Sequence, residues 1–422
     1  MRTANSLLAL AAMNRSRTAL LLIPLVCVAF AAGPIQAGTS EADVDTRPSP
    51  AEDEGANPLH IGIDRPQPGQ VVGVGPPWVE LRGWTGFGVV SGHDIVIVVD
   101  ISGSTAAPSG IDVDEDGQVG HATRRFNRKS SDSGDSILSA ELLGTRRLVR
   151  QLDVRRSRIG IVSFAGRPRI EAAISTPRDE LARALDNLDG AFASGGTDLA
   201  GALQQAQAVL FDRSAGNLTD RHRTVLILSD GYPTVPSPKR RAERVALEAA
   251  RLAAERGVRI HTFALGIGEP KDKQEDVFAR IAGLAGGSLT RVARPGDVAY
   301  ELPRIRLEGV ETVEIENLTS GASGRAIRLF PDGSFDGFIR LVPGSNTLRV
   351  TAIAEEGSRA VLERRVHFEL SADPVAAEAR RRALLERLRE RAAENAFARR
   401  AKGTPEASER ELEIELEDDP DD

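Results

Sequence analysis

The chain has 422 residues, 41% of them hydrophobic, with 40 glycines and 23 prolines: room for two or three globular domains rich in turns. A net charge of −7, 4% aromatic residues and the lack of a basic stripe exclude the electrostatic footprint of a nucleic-acid binder. In chain order, residues 1–37 read as a secretory signal. Arg15 and Arg17 close a polar, positive region, and Thr18 to Ala32 is an apolar run too short for a comfortable membrane span. Ile35-Gln-Ala37 offers a cleavage site before Gly38. This implies a secreted or periplasmic protein with no membrane span in the mature chain. The alternatives are an uncleaved anchor and a lipid at Cys27, the latter disfavoured by Val26, where a small residue is preferred. Cys27, Met1 and Met13 are the chain's only sulfur residues, so the mature chain would hold no disulfide even in a compartment that permits one.

Residues 38–58, rich in acid, Pro, Ser and Gly, read as a flexible linker. Residues 59–90 hold two short strands with turn chemistry between them. Across 91–306, apolar runs at 95–99, 159–164, 224–228, 258–265 and 288–292 alternate with amphipathic stretches at 137–152, 178–188, 197–211 and 239–256. Thr176-Pro-Arg-Asp179 reads as a helix start, with Thr176 as cap and proline in first position. Such alternation predicts an α/β fold with a doubly wound, mostly parallel sheet. Residues 307–370 hold about five further strands, with turns at Asp332-Gly-Ser-Phe335 and Pro343-Gly-Ser-Asn346. Neither flank alone reaches the roughly seven strands of a β-sandwich, but joined they do. The α/β segment is therefore expected to be inserted into one β domain, as is tolerated where entry and exit lie close together. A short hairpin packed elsewhere beside a separate small β domain remains open. Within 371–422, an Ala-, Arg- and Glu-rich helix over 373–400 precedes an acidic tail expected to be disordered.

Chemistry concentrates where the apolar runs end. Asp100-Ile-Ser-Gly-Ser104 follows Asp94–Val99 directly, placing Asp100, Ser102 and Ser104 just past a buried strand, where open parallel sheets bind ligands. Small hydroxyls beside a carboxylate suit a hard cation such as Mg²⁺. Ser194-Gly-Gly-Thr197-Asp198 precedes a helical pattern, and Ser229-Asp230-Gly231 closes the run 224–228. Taken in this order, the three segments resemble the metal-ion-dependent adhesion site of the von Willebrand factor type A family. The flanks resemble the opening and remaining strands of a bacterial immunoglobulin-like domain.

The resemblance implies that Ser102, Ser104 and Thr197 are hydroxyl ligands of Mg²⁺ or Mn²⁺, and that Asp100 and Asp230 bind directly or through water. Neutral hydroxyls leave the cation under-neutralised, so an acidic group on a protein, matrix or envelope partner would complete its shell. Gly195-Gly196 would let the backbone approach the metal, with Gly103 and Gly231 serving the turns. The expected function is a metal-dependent adhesion or protein-binding module without a catalytic residue. The alternatives are an assembly or regulatory subunit of an envelope complex and, further off, a metal-dependent hydrolase.

The segment from Ser104 to the first long helix is unusually long, a length that is functional or disordered in compact domains. Its Asp112-Val-Asp114-Glu-Asp116-Gly117-Gln118 matches the opening of an EF-hand-type Ca²⁺ loop, with acids at positions one, three and five and glycine at six. The twelfth position is Thr123, so the bidentate glutamate is missing, with Asp132 or Asp135 as substitutes. The competing reading is a solvated acidic loop. The six histidines show no metal-ligand spacing, and His93 and His261 read as structural.

Overall fold

The computed structural model describes residues 58–369 apart from 74–76, 89–91, 124–128, 175, 193–195, 213–215, 217–219 and 269–275, together with scattered helical residues between 375 and 389. The signal, the linker at 38–57, Ser194, Gly195, Leu384, Leu385, Leu388 and the acidic tail lie outside the described residues.

Three strands come first: β1 (Leu59–Arg65), β2 (Val71–Gly73) and β3 (Trp78–Phe87). The sequence suggested two. The α/β part follows as β4 (Gly92–Asp100), α1 (Ile137–Gln151), β5 (Ser157–Phe164), β6 (Arg169–Ala172), α2 (Arg178–Leu188), α3 (Leu199–Leu210), β7 (Arg221–Ser229), α4 (Lys239–Glu255), β8 (Val258–Leu265), α5 (Val277–Leu284), β9 (Leu289–Val292) and α6 (Val298–Glu301). Six strands, β10 (Val310–Asn317), β11 (Ala322–Ser323), β12 (Arg325–Leu329), β13 (Ser334–Arg340), β14 (Gly344–Ala354) and β15 (Arg359–Glu369), complete the described fold.

The central sheet has the order β6-β5-β4-β7-β8-β9, parallel throughout except for the antiparallel edge strand β6. Its middle strands read as continuous apolar runs because both faces are covered. Ile95, Ile97 and Val99 of β4 pack with α1, α2 and the segment around Val298 and Leu302. Val96 and Val98, on the opposite face, pack with α3, α4 and α5. The sheet is therefore doubly wound, as expected. At α2 the expectation shifts by one residue: Pro177, not Thr176, occupies the cap position, with no side-chain cap bond, and Asp179 and Glu180 supply negative charge to the first turn.

The flanking strands form two further sheets, ordered β1-β3-β13-β12 and β11-β10-β14-β15-β2. Each combines strands from before and after the α/β segment: β3 runs antiparallel to β13, and β2 parallel to β15. Ile63, Leu81, Phe335 and Ile339 of the first sheet share one buried core with Val313, Ile315, Leu348, Val350 and Phe368 of the second. The third N-terminal strand escapes sequence reading because β2 is only three residues long and pairs with the far end of the chain. Polar bonds join the two parts. Asp332 Oδ2 accepts from the Ser157 hydroxyl at 2.7 Å and the Asp153 amide at 2.8 Å.

Candidate functional site

The parallel register of β4 and β7 pairs Val99 with Leu228. The next residues, Asp100 and Ser229, therefore leave the sheet side by side at its carboxyl end. Asp100 is fully buried. Its Oδ1 accepts the Ser102 amide at 2.9 Å, folding the chain back over the strand end, and its Oδ2 accepts the Ser229 hydroxyl at 2.6 Å. That turn brings the Ser102 and Ser104 hydroxyls within 3.0 Å of each other. Ser104 Oγ in turn donates to Asp230 Oδ1 at 2.8 Å. Two strands thus supply four of the five expected oxygen residues in one hydrogen-bonded group.

The fifth, Thr197, precedes α3, whose cap is Asp198, accepting the Gly201 amide at 2.9 Å. The backbone of Thr197 is tied to the segment after Asp230: its amide donates to Thr234 Oγ1 at 2.8 Å, and its carbonyl accepts the Thr234 amide at 3.0 Å. A side chain starting at Gly231 would come within 3.9 Å of Thr197 Oγ1, so this hydroxyl faces the Asp230-Gly231 turn. All five residues expected from the sequence are brought to one end of the sheet.

The glycines behave differently from expectation. A Cβ at Gly196 would collide with Thr234 Oγ1 and Val235 Cγ2, so this glycine allows two loops to pack closely, while Gly195 lies outside the described residues. Gly103 and Gly231 have ordinary backbone angles and open surroundings, and their turns do not demand glycine.

The electrostatics suit a cation. Burial pushes the Asp100 carboxyl up from its ordinary range, against the hydrogen bonds from Ser229 and Ser102. Asp230 is pushed up to about 7, first by burial and then by the charge of Asp100. Glu141 of α1 is raised well above its usual value by complete burial and by both aspartates, against the effect of the Asp100 backbone amide. Hard oxygen donors crowded with acids that resist ionisation form the donor set Mg²⁺ or Mn²⁺ takes, and a divalent ion would offset the repulsion. Ser229, Thr234 and Glu141 were not singled out by the sequence.

The acidic loop after Ser104 is folded. Oxygens of Asp112, Asp114 and Asp116 lie within 4.8 Å of one another. The Gly117 amide donates to Asp112 Oδ2 at 2.9 Å and the Gln118 amide to Asp116 Oδ1 at 2.8 Å. Gly117 adopts φ +88°, the left-handed turn that favours glycine. Asp112 Oδ1 is buried without a partner. Asp114 is raised by partial desolvation and by the charges of Asp116, Asp132 and Asp135. Of the two substitutes for the missing glutamate, Asp135 is committed elsewhere, accepting the Val113 amide at 2.5 Å and the Gly120 amide at 2.7 Å. Asp132, whose Oδ1 accepts the Gly134 amide at 2.8 Å, is the one left; Gly134 itself packs directly on Asp114.

Residues 95–232 match the family model for the von Willebrand factor type A domain, a span that contains all five oxygen residues. No curated protein matches the chain. Similar solved structures include an aerotolerance-related membrane protein from Bacteroides fragilis, 17% identical, covering 50% of this chain and 96% of that one at a TM-score of 0.34. The manganese-loaded TRAP protein of Plasmodium vivax is 15% identical, covering 69% and 97% at 0.34. Proximal thread matrix protein 1 from the mussel byssus, with a zinc-occupied MIDAS motif, is 14% identical, covering 50% and 46% at 0.36.

Proposed function

We propose that this protein is a secreted or periplasmic binding module that holds an acidic group of a protein partner through a divalent cation, Mg²⁺ or Mn²⁺. The observation that carries this reading is the convergence of Asp100, Ser102, Ser104, Thr197 and Asp230 from three separate segments onto one end of the sheet. Ser102, Ser104 and Thr197 would ligate through neutral hydroxyls, and Asp100 and Asp230 directly or through water. With the aspartates held through water, three neutral hydroxyls leave net positive charge on the ion, and a carboxylate from the partner would supply the remaining negative ligand. Chemistry of this kind binds without a nucleophile, so the reading is of adhesion rather than catalysis. The secreted or periplasmic setting rests on residues 1–37.

In this reading the strands of 59–87 and 310–369 form an immunoglobulin-like sandwich that presents the α/β part. The loop at 112–118 would hold Ca²⁺ with Asp112, Asp114, Asp116 and the backbone of Gln118, shaping the rim of the binding face. The test is calorimetric titration of Mg²⁺ and Mn²⁺ into wild type, Asp100→Ala and Thr197→Ala, each checked for fold by circular dichroism. Loss of metal binding in folded variants supports the assignment; unchanged affinity in both overturns it.

A further inference from the structure

At the opposite, amino ends of β4 and β7, the parallel register sets His93 directly beside His222. Their rings meet edge to face, with centroids 5.6 Å apart at 86°. Glu308, on the chain leaving the α/β part just ahead of β10, places Oε1 2.7 Å from His222 Nδ1 and 3.4 Å from His93 Nε2. One ligand atom from each of the three residues lies within 4.8 Å of the others. The second carboxylate oxygen, Oε2, accepts the Phe87 amide at 3.2 Å. Gly86 makes room for it, since a Cβ there would stand 2.6 Å away. Glu308 is thereby fixed from both sides of the junction between the α/β part and the sandwich.

Two features indicate more than an ion pair. His93 is almost completely buried, yet its Nδ1 has no partner and its Nε2 stands off from Glu308 at a distance long for a hydrogen bond. Metal–nitrogen bonds of about 2.0–2.1 Å in a tetrahedron put neighbouring ligand atoms roughly 3.3 Å apart, which the 3.4 Å between His93 Nε2 and Glu308 Oε1 matches, whereas the 2.7 Å hydrogen bond from His222 would have to open when a cation replaces its proton.

We propose that His93, His222 and Glu308 form a second metal site, for Zn²⁺ or a similar borderline cation, that clasps the α/β part to the sandwich at the point where the chain enters and leaves it. Two imidazoles and one carboxylate are a donor set that Zn²⁺ takes. His222, with its side chain 30% exposed, is the solvent-facing member of the group, so a fourth ligand would come from water on its side. Burial disfavours protonation of His93, which keeps its ring neutral. A neutral imidazole and an ionised carboxylate are the forms that ligate. Arg156 and Asp332, which also act on His93, carry opposite charges. This clasp lies roughly 23 Å from Asp100 along β4, at a rise of about 3.3 Å per residue, and is independent of the oxygen cluster. It would set the angle at which the sandwich holds the binding face.

The experiment uses the full chain without an affinity tag, stripped of metal and held in saturating Mg²⁺ to occupy the oxygen cluster. Zn²⁺ is titrated by calorimetry into wild type, His222→Ala, Glu308→Gln and Asp230→Ala. One tight Zn²⁺ site is expected in wild type and Asp230→Ala, weakened at least a hundredfold in the other two. No Zn²⁺ binding to wild type, equal binding in all four, or loss confined to Asp230→Ala overturns the proposal. If the clasp variants fail to fold, Co²⁺ loaded into wild type decides: strong tetrahedral visible bands support the site, and the weak spectrum of six-coordinate oxygen ligation overturns it.

Discussion

Ser229 donates its hydroxyl to Asp100 Oδ2 at 2.6 Å, across the tops of two adjacent parallel strands. The bond holds the buried carboxylate so that its other oxygen can organise the Ser102 turn. Ser229 is thus a support for the oxygen cluster rather than an expected ligand, and its hydroxyl also stands at hydrogen-bond distance from the Gly231 carbonyl.

Ser229→Ala should therefore weaken divalent-cation binding without removing any expected ligand. Outer partners of metal ligands are typically worth about 10–100-fold in affinity. Calorimetric titration of Mn²⁺ should show a loss in that range with an unchanged far-ultraviolet spectrum. Wild-type affinity in this variant would mean that Asp100 needs no such support.

The acidic loop makes a second prediction. Calcium should raise the melting temperature of wild type in constant Mg²⁺, by the equivalent of about 2.7 kcal/mol when it exceeds its dissociation constant a hundredfold. Asp114→Ala/Asp116→Ala removes two of the three grouped carboxylates and should abolish the response. An equal response in both proteins would return the loop to a solvated acidic turn.

The nested arrangement makes a third. β3 lies between β1 and β13 in its sheet, and β2 closes the edge of the other. Deleting 59–87 should leave 310–369 with exposed sheet edges and a core stripped of Ile63 and Leu81, so limited proteolysis should digest that segment while the α/β part survives longer. A fragment of 307–370 that unfolds cooperatively by itself would contradict the expectation.

What the sequence conveyed follows from which interactions are local. Val96 to Val99 announced a strand because both faces of the central sheet are apolar, and α2 was found, its cap one residue off, because Leu181, Leu185 and Leu188 repeat at helical spacing on its buried side. The ligand candidates were legible because Asp100, Ser102 and Ser104 are sequence neighbours. β6 and α6, four residues each, were too short to show a period, and α5 offered only eight. Ser229 and the His93–His222 pair were invisible for one reason: parallel register, not spacing along the chain, sets them opposite their partners. Likewise no sequence rule ties Gly196 to Thr234, because that contact joins two loops.

His261 makes the last prediction, on pH. It lies in β8 with Nδ1 2.8 Å from Ser288 Oγ, accepting the Ser288 amide at 3.2 Å, while its Nε2 is buried without a partner. An acceptor role for Nδ1 requires the neutral ring. Burial, and then the nearby Arg259, lower its pKa to about 4 from the ordinary imidazole value of 6.5. The unfolded chain therefore takes up this proton as pH falls below about 6.5, whereas the folded chain resists it until about 4. The residue costs no stability above that window, and stability falls progressively as pH drops through it, by on the order of 3 kcal/mol at the acid end. Gln at this position stays neutral and can still accept from Ser288. Urea unfolding of wild type and His261→Gln at pH 7.5, 5.5 and 4.5 should show a steeper acid loss in wild type, with the difference between the two changing in favour of the variant as pH falls. Parallel pH curves would show that His261 titrates alike in the folded and unfolded chain.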